Sequence, residues 1–107
     1  MTSGKNEKFS KDDIRVARFA KALSHPARIA ILRQLATLEV CSFNEISKEL
    51  PLADSTVSQH ITELKNAGII SGRADPPNVK YSINFDKWKQ ARKSLKEFTK
   101  MKIAKNN

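Results

Sequence analysis

Three kinds of side chain in this sequence are equipped for chemistry. They are the one thiol, Cys41, the imidazoles of His25 and His60, and a run of hydroxyls with an amide in DSTVSQHITELKNAG, residues 54–68. Nucleophilic catalysis needs a base beside the nucleophile, and a soft or borderline metal needs two or three nitrogen or sulfur ligands. One cysteine and two separated histidines supply neither. No paired-carboxylate motif or phosphate loop appears, and with 3 glycines in the chain a nucleotide-cradling loop fits poorly. The expectation is a non-enzyme without cofactor or metal.

The third group is more informative. Val57, Ile61 and Leu64 recur at i, i+4 and i+7, the apolar stripe of a helix. The other side carries Ser55, Thr56, Ser58, Gln59 and Thr62, where a solvated face would ordinarily carry Lys and Glu. A helix entering a DNA major groove needs short donor–acceptor side chains and an amide there, because long cations would clamp to phosphate instead. Gln59 can pair with adenine N6/N7, and the hydroxyls can reach base edges or phosphate oxygens. The plainer alternative is a solvated polar face. His60, at the edge of the stripe, is open to two readings: a phosphate contact, or a half-buried boundary histidine. His25 reads as a helix cap.

Charge agrees with a nucleic-acid partner but does not point to that helix. The chain of 107 residues has 20 Lys+Arg against 11 Asp+Glu, a net charge of +9, with 39% hydrophobic residues. That is a folded basic chain, expected to be one domain. Residues 39–67, however, hold two basic and five acidic side chains, and the surplus lies in residues 1–38 and 86–107. The Lys-rich final helix reads as a solvated outer face that adds long-range attraction. A single cysteine fits a reducing compartment. The opening MTSGKNEKFS has no apolar signal core, and no apolar run approaches the ~20 residues of a membrane span. The expected location is cytoplasmic, with no membrane partner.

The elements that must hold these residues follow from local signals. Residues 1–9 are expected to be a flexible N-terminus and 10–104 one domain. Ser10 with Asp13, and Ser42 with Glu45, have capping-box spacing. Ile14, Ala17, Phe19, Ala20 and Leu23 mark a first helix. Pro26, Ile31, Leu32, Leu35 and Leu38 mark a second, capped by Ser24 or His25. After a short extended EVC, Phe43, Ile46 and Leu50 mark a third, stopped by Pro51. Asp54 or Ser55 caps the fourth and Gly68 ends it, so PLAD is a helix-turn-helix connection. IISGRAD and VKYSIN alternate around PPN as a β-hairpin, where Arg73 and Lys80 either meet phosphates or the minor groove or are ordinary surface charge. Trp88, Ala91, Leu95, Phe98 and Lys102 then repeat at about 3.5 residues in a long last helix from about Asp86, with Met101 and Ile103 alongside. The fold expected is mainly α with a small β-hairpin, a winged helix-turn-helix.

The stretches LSHPARIAIL, DSTVSQHITELKNAGII and VKYSIN resemble the ArsR/SmtB family of bacterial repressors. Pro26, Arg28, Ile31 and Leu32 match the opening of its second helix; Thr56, Val57, Ser58, His60, Ile61, Leu64 and Gly68-Ile69 match its recognition helix. The resemblance covers roughly residues 12–98. It implies a homodimer paired through the first and last helices, major-groove binding to double-stranded DNA at an inverted-repeat operator, and repression relieved by an effector that the sequence leaves unknown. The heptad-like seam supports the dimer independently, since a lone small domain has little use for it. Phe19, Trp88, Leu95 and Phe98 are the expected interface residues. The family's thiolate metal site uses a Cys-x-Cys pair where this chain has Ser42 and Asn44, and its other site needs histidine on a last helix that has none. A winged-helix module for protein–protein contacts is the competing function, suggested by the net negative charge of residues 39–67.

Overall fold

Residues 8–105 are described by a computed structural model. Among them the order is α1 (Lys11–Ala22), α2 (Pro26–Leu38), β1 (Cys41–Ser42), α3 (Phe43–Ser47), α4 (Asp54–Asn66), β2 (Ile70–Asp75), β3 (Asn78–Ile83) and α5 (Phe85–Thr99). This is the winged helix-turn-helix that the sequence predicts. Most of the expected flexible N-terminus lies outside the described residues.

The helix starts follow their caps. The Ser10 hydroxyl accepts from the Asp13 N–H at 2.9 Å, and His25 Nδ1 accepts from the Ala27 N–H at 3.0 Å, one residue past Pro26. At α3 the capping box is complete: the Ser42 N–H donates to Glu45 Oε1 at 2.8 Å, and the Ser42 hydroxyl accepts from the Glu45 N–H at 3.2 Å. Gly68, at φ +78, turns the chain out of α4 in the conformation a side chain resists. The exit from α2 is less comfortable. Glu39 has φ 71 and ψ −53, and the Val40 N–H bonds the Leu38 carbonyl at 2.8 Å, which together make a tight γ-turn on a non-glycine residue.

The core is built on the undersides of α2, α3 and α4. Ile31, Leu35, Ile46, Val57 and Leu64 are fully enclosed, joined by Ile61, Ile69 and Ile70. The three strands form an antiparallel sheet in the order β1-β3-β2, with Cys41 opposite Tyr81 and Ser42 opposite Lys80. Of the EVC stretch expected to be extended, only Cys41 lies in a strand, and with Ser42 it anchors the hairpin to the helices, while Glu39 takes the γ-turn. α1 and α5 pack on each other at one side of this unit, and Phe19 meets Trp88 edge-on at 5.5 Å between ring centres.

Several sequence expectations give way. α4 begins one residue early, with Ala53 as a cap that makes no side-chain bond. Asp54 instead accepts a hydrogen bond from the Ser47 hydroxyl, clipping α4 to α3. α3 stops at Ser47 and tightens into i→i+3 bonds at Glu49 and Leu50 ahead of Pro51. Leu38 is exposed, not part of the buried stripe. α5 ends at Thr99, whose hydroxyl bonds back to the Leu95 and Lys96 carbonyls. Met101 and Ile103, expected alongside a longer helix, lie beyond it and are exposed.

Candidate nucleic-acid interface

α4 shows two contrasting sides. Val57, Ile61 and Leu64 are 0%, 3% and 0% exposed and fix the helix against α2, α3 and the sheet. Ser55, Ser58, Gln59 and Thr62 are exposed on the opposite side, and Thr56 is half-buried on the flank. Ser55, Gln59 and Thr62 are spaced i, i+4 and i+7, so they form one row along the outer face. Asn66 continues that row at i+11 and is also exposed. Gln59 is therefore not the sole amide on this surface, and the spacing from Gln59 to Asn66 is the sequence signal for the second.

His60 is not on that face. It is buried, and its Nδ1 accepts from Arg28 Nε at 3.1 Å. Its ring lies 4.3 Å from that of His25. Arg28 also donates to the Lys21 carbonyl at 3.1 Å, so one guanidinium ties the end of α1 and the start of α2 to the middle of α4. Of the two readings of His60, the structure therefore matches the boundary histidine, with its ring committed to the protein. Burial lowers its pKa first, and the neighbouring His25 and Arg28 lower it further. The neutral ring is the form that accepts from Arg28. Sequence reasoning misses Arg28 as a positioning residue because its partner lies 32 residues away.

Arg73 and Lys80 face each other across β2 and β3. Directly paired residues share one face of the sheet, so two like charges stand side by side, an arrangement that is unfavourable unless an anion lies between or above them. On the other face Tyr81 covers Gly72: a Cβ there would sit 3.1 Å from its ring. The tip beyond them holds Pro76 and Pro77, which offer no amide donors.

Cys41 has no exposed surface. Burial raises the pKa of its thiol, the Glu45 carboxylate adds to the effect, and Lys80 opposes it. Glu45 itself is held below the usual carboxylate range, chiefly by the Ser42 N–H it accepts. A protonated, enclosed thiol packs as a small hydrophobe. Among the described residues no three His, Cys, Asp or Glu side chains gather as a metal site would require.

The interface residues expected for a dimer separate in the structure. Phe19 is 4% exposed and spent on Trp88 within the same chain, which corrects its assignment to a surface. Trp88 and Leu95 are half-buried against the core, while Phe98 is 49% exposed. No helix among the described residues is long and apolar enough to cross a membrane.

Comparison with known proteins gives a consistent picture. Residues 25–71 match the family model described as bacterial regulatory protein, arsR family. The HTH-type transcriptional regulator YgaV of Escherichia coli is 34% identical over 67 residues, 63% of this chain and 68% of that protein. The biofilm growth-associated repressor of Agrobacterium fabrum is 35% identical over 67% of this chain and 61% of its own length. Among solved structures, Rv0081 of Mycobacterium tuberculosis superposes with a TM-score of 0.63 at 34% identity, covering 85% of this chain and 95% of that one.

Proposed function

The chain belongs to the ArsR family of transcriptional regulators, and on that premise we propose that it is a homodimeric repressor that reads an inverted-repeat operator. Membership carries a DNA-binding helix-turn-helix and a regulatory, not enzymatic, role. The finer reading rests on one observation above the others: the exposed row Ser55, Gln59, Thr62 is free of long charged side chains on a helix whose underside is fully buried. A helix so fixed presents its outer residues at a constant height and angle, which base readout requires.

The division of labour follows from side-chain type. Gln59 makes the bidentate contact to adenine, Ser55, Ser58 and Thr62 reach base edges or phosphate, and Thr56 closes the flank. Arg73 and Lys80 of each hairpin hold phosphate, which relieves their mutual repulsion. The partner copy packs on α1 and α5. In support, Phe9, Phe98, Met101 and Ile103 are 59%, 49%, 57% and 79% exposed, and a groove of about 910 Å³ runs between α1 and Phe98. Repression is the mode suggested by the relative named for it. The signal that relieves it is not a metal held by Cys41, whose thiol is enclosed.

The test is binding to the inverted repeat nearest the chain's own gene, with a promoter reporter alongside. Tight binding of two chains per site, with reporter activity rising on deletion of the gene, is the expected result. Reporter activity that falls on deletion would make the protein an activator, and failure to prefer the repeat over scrambled duplex would remove the readout assignment.

A further inference from the structure

A second concave feature lies away from the recognition face. Between α1, the start of α5 and the α4–β2 junction is a hollow of about 310 Å³, within the range of small-ligand sites. Its floor is apolar, with Phe19, Ile69 and Ala91 each buried. Its lining includes Lys11, Arg15, Arg18 and Lys87 and no acidic residue. Among the described residues, Arg15 alone of the four has an acidic partner, Asp12 at 3.9 Å, and that pair is about half exposed.

Two features argue against a DNA contact here. The surface is concave, and it sits at Ala67 and Ile69, the base of a hairpin whose six-residue strands carry the tip about 20 Å away. An apolar floor beneath a cationic rim fits an amphiphile better than a bare phosphate. The position also has a mechanical consequence. The Lys87 stem passes 3.8 Å from where a Cβ on Gly68 would lie, so it rests on the turn that joins the recognition helix to the wing. Whatever neutralises Lys87 touches the dimer helices and that turn together.

We propose that this hollow is an effector site for a small organic monocarboxylate, its head among Lys11, Arg15, Arg18 and Lys87 and its hydrocarbon tail over Phe19, Ile69 and Ala91. The role as effector site rests on the regulatory reading above; the binding itself does not. Occupancy draws α1 and α5 toward the Gly68 turn and changes operator affinity by altering the angle between α4 and the hairpin.

The chain carries its own reporter, because its single tryptophan, Trp88, packs on Phe19. Trp88 emission is followed while full-length protein is titrated with the straight-chain carboxylates from acetate to decanoate, with octanamide and with sulfate. The expected result is a saturable change that strengthens with chain length, at least tenfold weaker for octanamide and for sulfate. The variant Arg18→Gln with Lys87→Gln alters exposed side chains only, and it should weaken the carboxylate response at least tenfold while melting as wild type does. Operator affinity is then measured with and without the tightest carboxylate. No saturable signal across the series, an equal response to octanamide, or an unchanged response in the double variant would overturn the site. Binding without any change in operator affinity would overturn its effector role. Because the titration contains no DNA, a chain that fails to bind DNA counts against the regulatory reading alone.

Discussion

α4 and α5 are both amphipathic helices of similar length, yet they are completed in different ways. α4 buries Val57, His60, Ile61 and Leu64, all within its own chain, and has nothing large and apolar left over. α5 buries only Ala91 and Ser94 fully, and leaves Phe85 and Phe98 at 68% and 49% exposure. One helix is finished within its own chain and offers a polar face; the other leaves large apolar side chains exposed at both ends. On the function proposed above, the contrast separates a surface for a hydrated, polar partner from a surface for a second copy of the chain.

Core truncation should show this difference most strongly. Leu64→Ala should cost about 2–5 kcal/mol, the usual result of emptying a fully enclosed site, and by the same amount at every protein concentration in urea unfolding. If Phe98 packs in the proposed dimer, Phe98→Ala should instead lower stability in a concentration-dependent way. Phe98→Glu or Leu95→Glu should yield monomers or aggregates in sedimentation. Clean dimers from both glutamate variants would mean that α5 is completed elsewhere.

Protonation sharpens the comparison from the other side. The folded pKa of His60 lies below its ordinary value of 6.5, so the unfolded chain binds the proton more readily. The stability it contributes is present above about pH 6.5 and is lost as pH falls from there through the folded pKa. Protonated Nδ1 would also turn a second donor toward Arg28. His60→Gln, which keeps an acceptor without the titration, should flatten the stability profile between pH 7 and pH 5, read by thermal melting. An unchanged slope would place the acid sensitivity outside His60. The smallest effect belongs to the γ-turn. Glu39→Gly relieves a φ of 71 and should raise stability by about 1 kcal/mol without touching DNA affinity.

Legibility in the sequence divides along the same line. Caps, stops and strand alternation are local, so Ser10, Pro26, the Ser42–Glu45 box and Gly68 are readable and the fold with them. The outer row of α4 is readable because it departs from ordinary surface composition. Periodicity cannot reveal whose atoms bury an apolar stripe. Phe19 and Phe98 share that character in sequence, and only the fold shows that Trp88 takes the first and leaves the second. The end of α5 is misread for a related reason: the apolar repeat continues to Ile103, but Thr99 bonds back to the last turn, and among the described residues nothing covers Met101 or Ile103. His60 is ambiguous in sequence because its partner, Arg28, belongs to another helix.

The central claim is that α4 reads bases while the hairpin holds phosphate, and competition binding of Gln59→Ala and Lys80→Ala tests it most directly. Each variant is measured against operator and scrambled duplex over a series of salt concentrations. Gln59→Ala should lose about 1–3 kcal/mol on the operator, with relaxed preference at one position per half-site and little change on scrambled DNA. Lys80→Ala should weaken both duplexes alike and flatten the salt dependence by about one unit per lost phosphate contact. Equal weakening of operator and scrambled DNA by Gln59→Ala would contradict the account, leaving α4 as a positioning element and the reading of sequence to another part of the molecule.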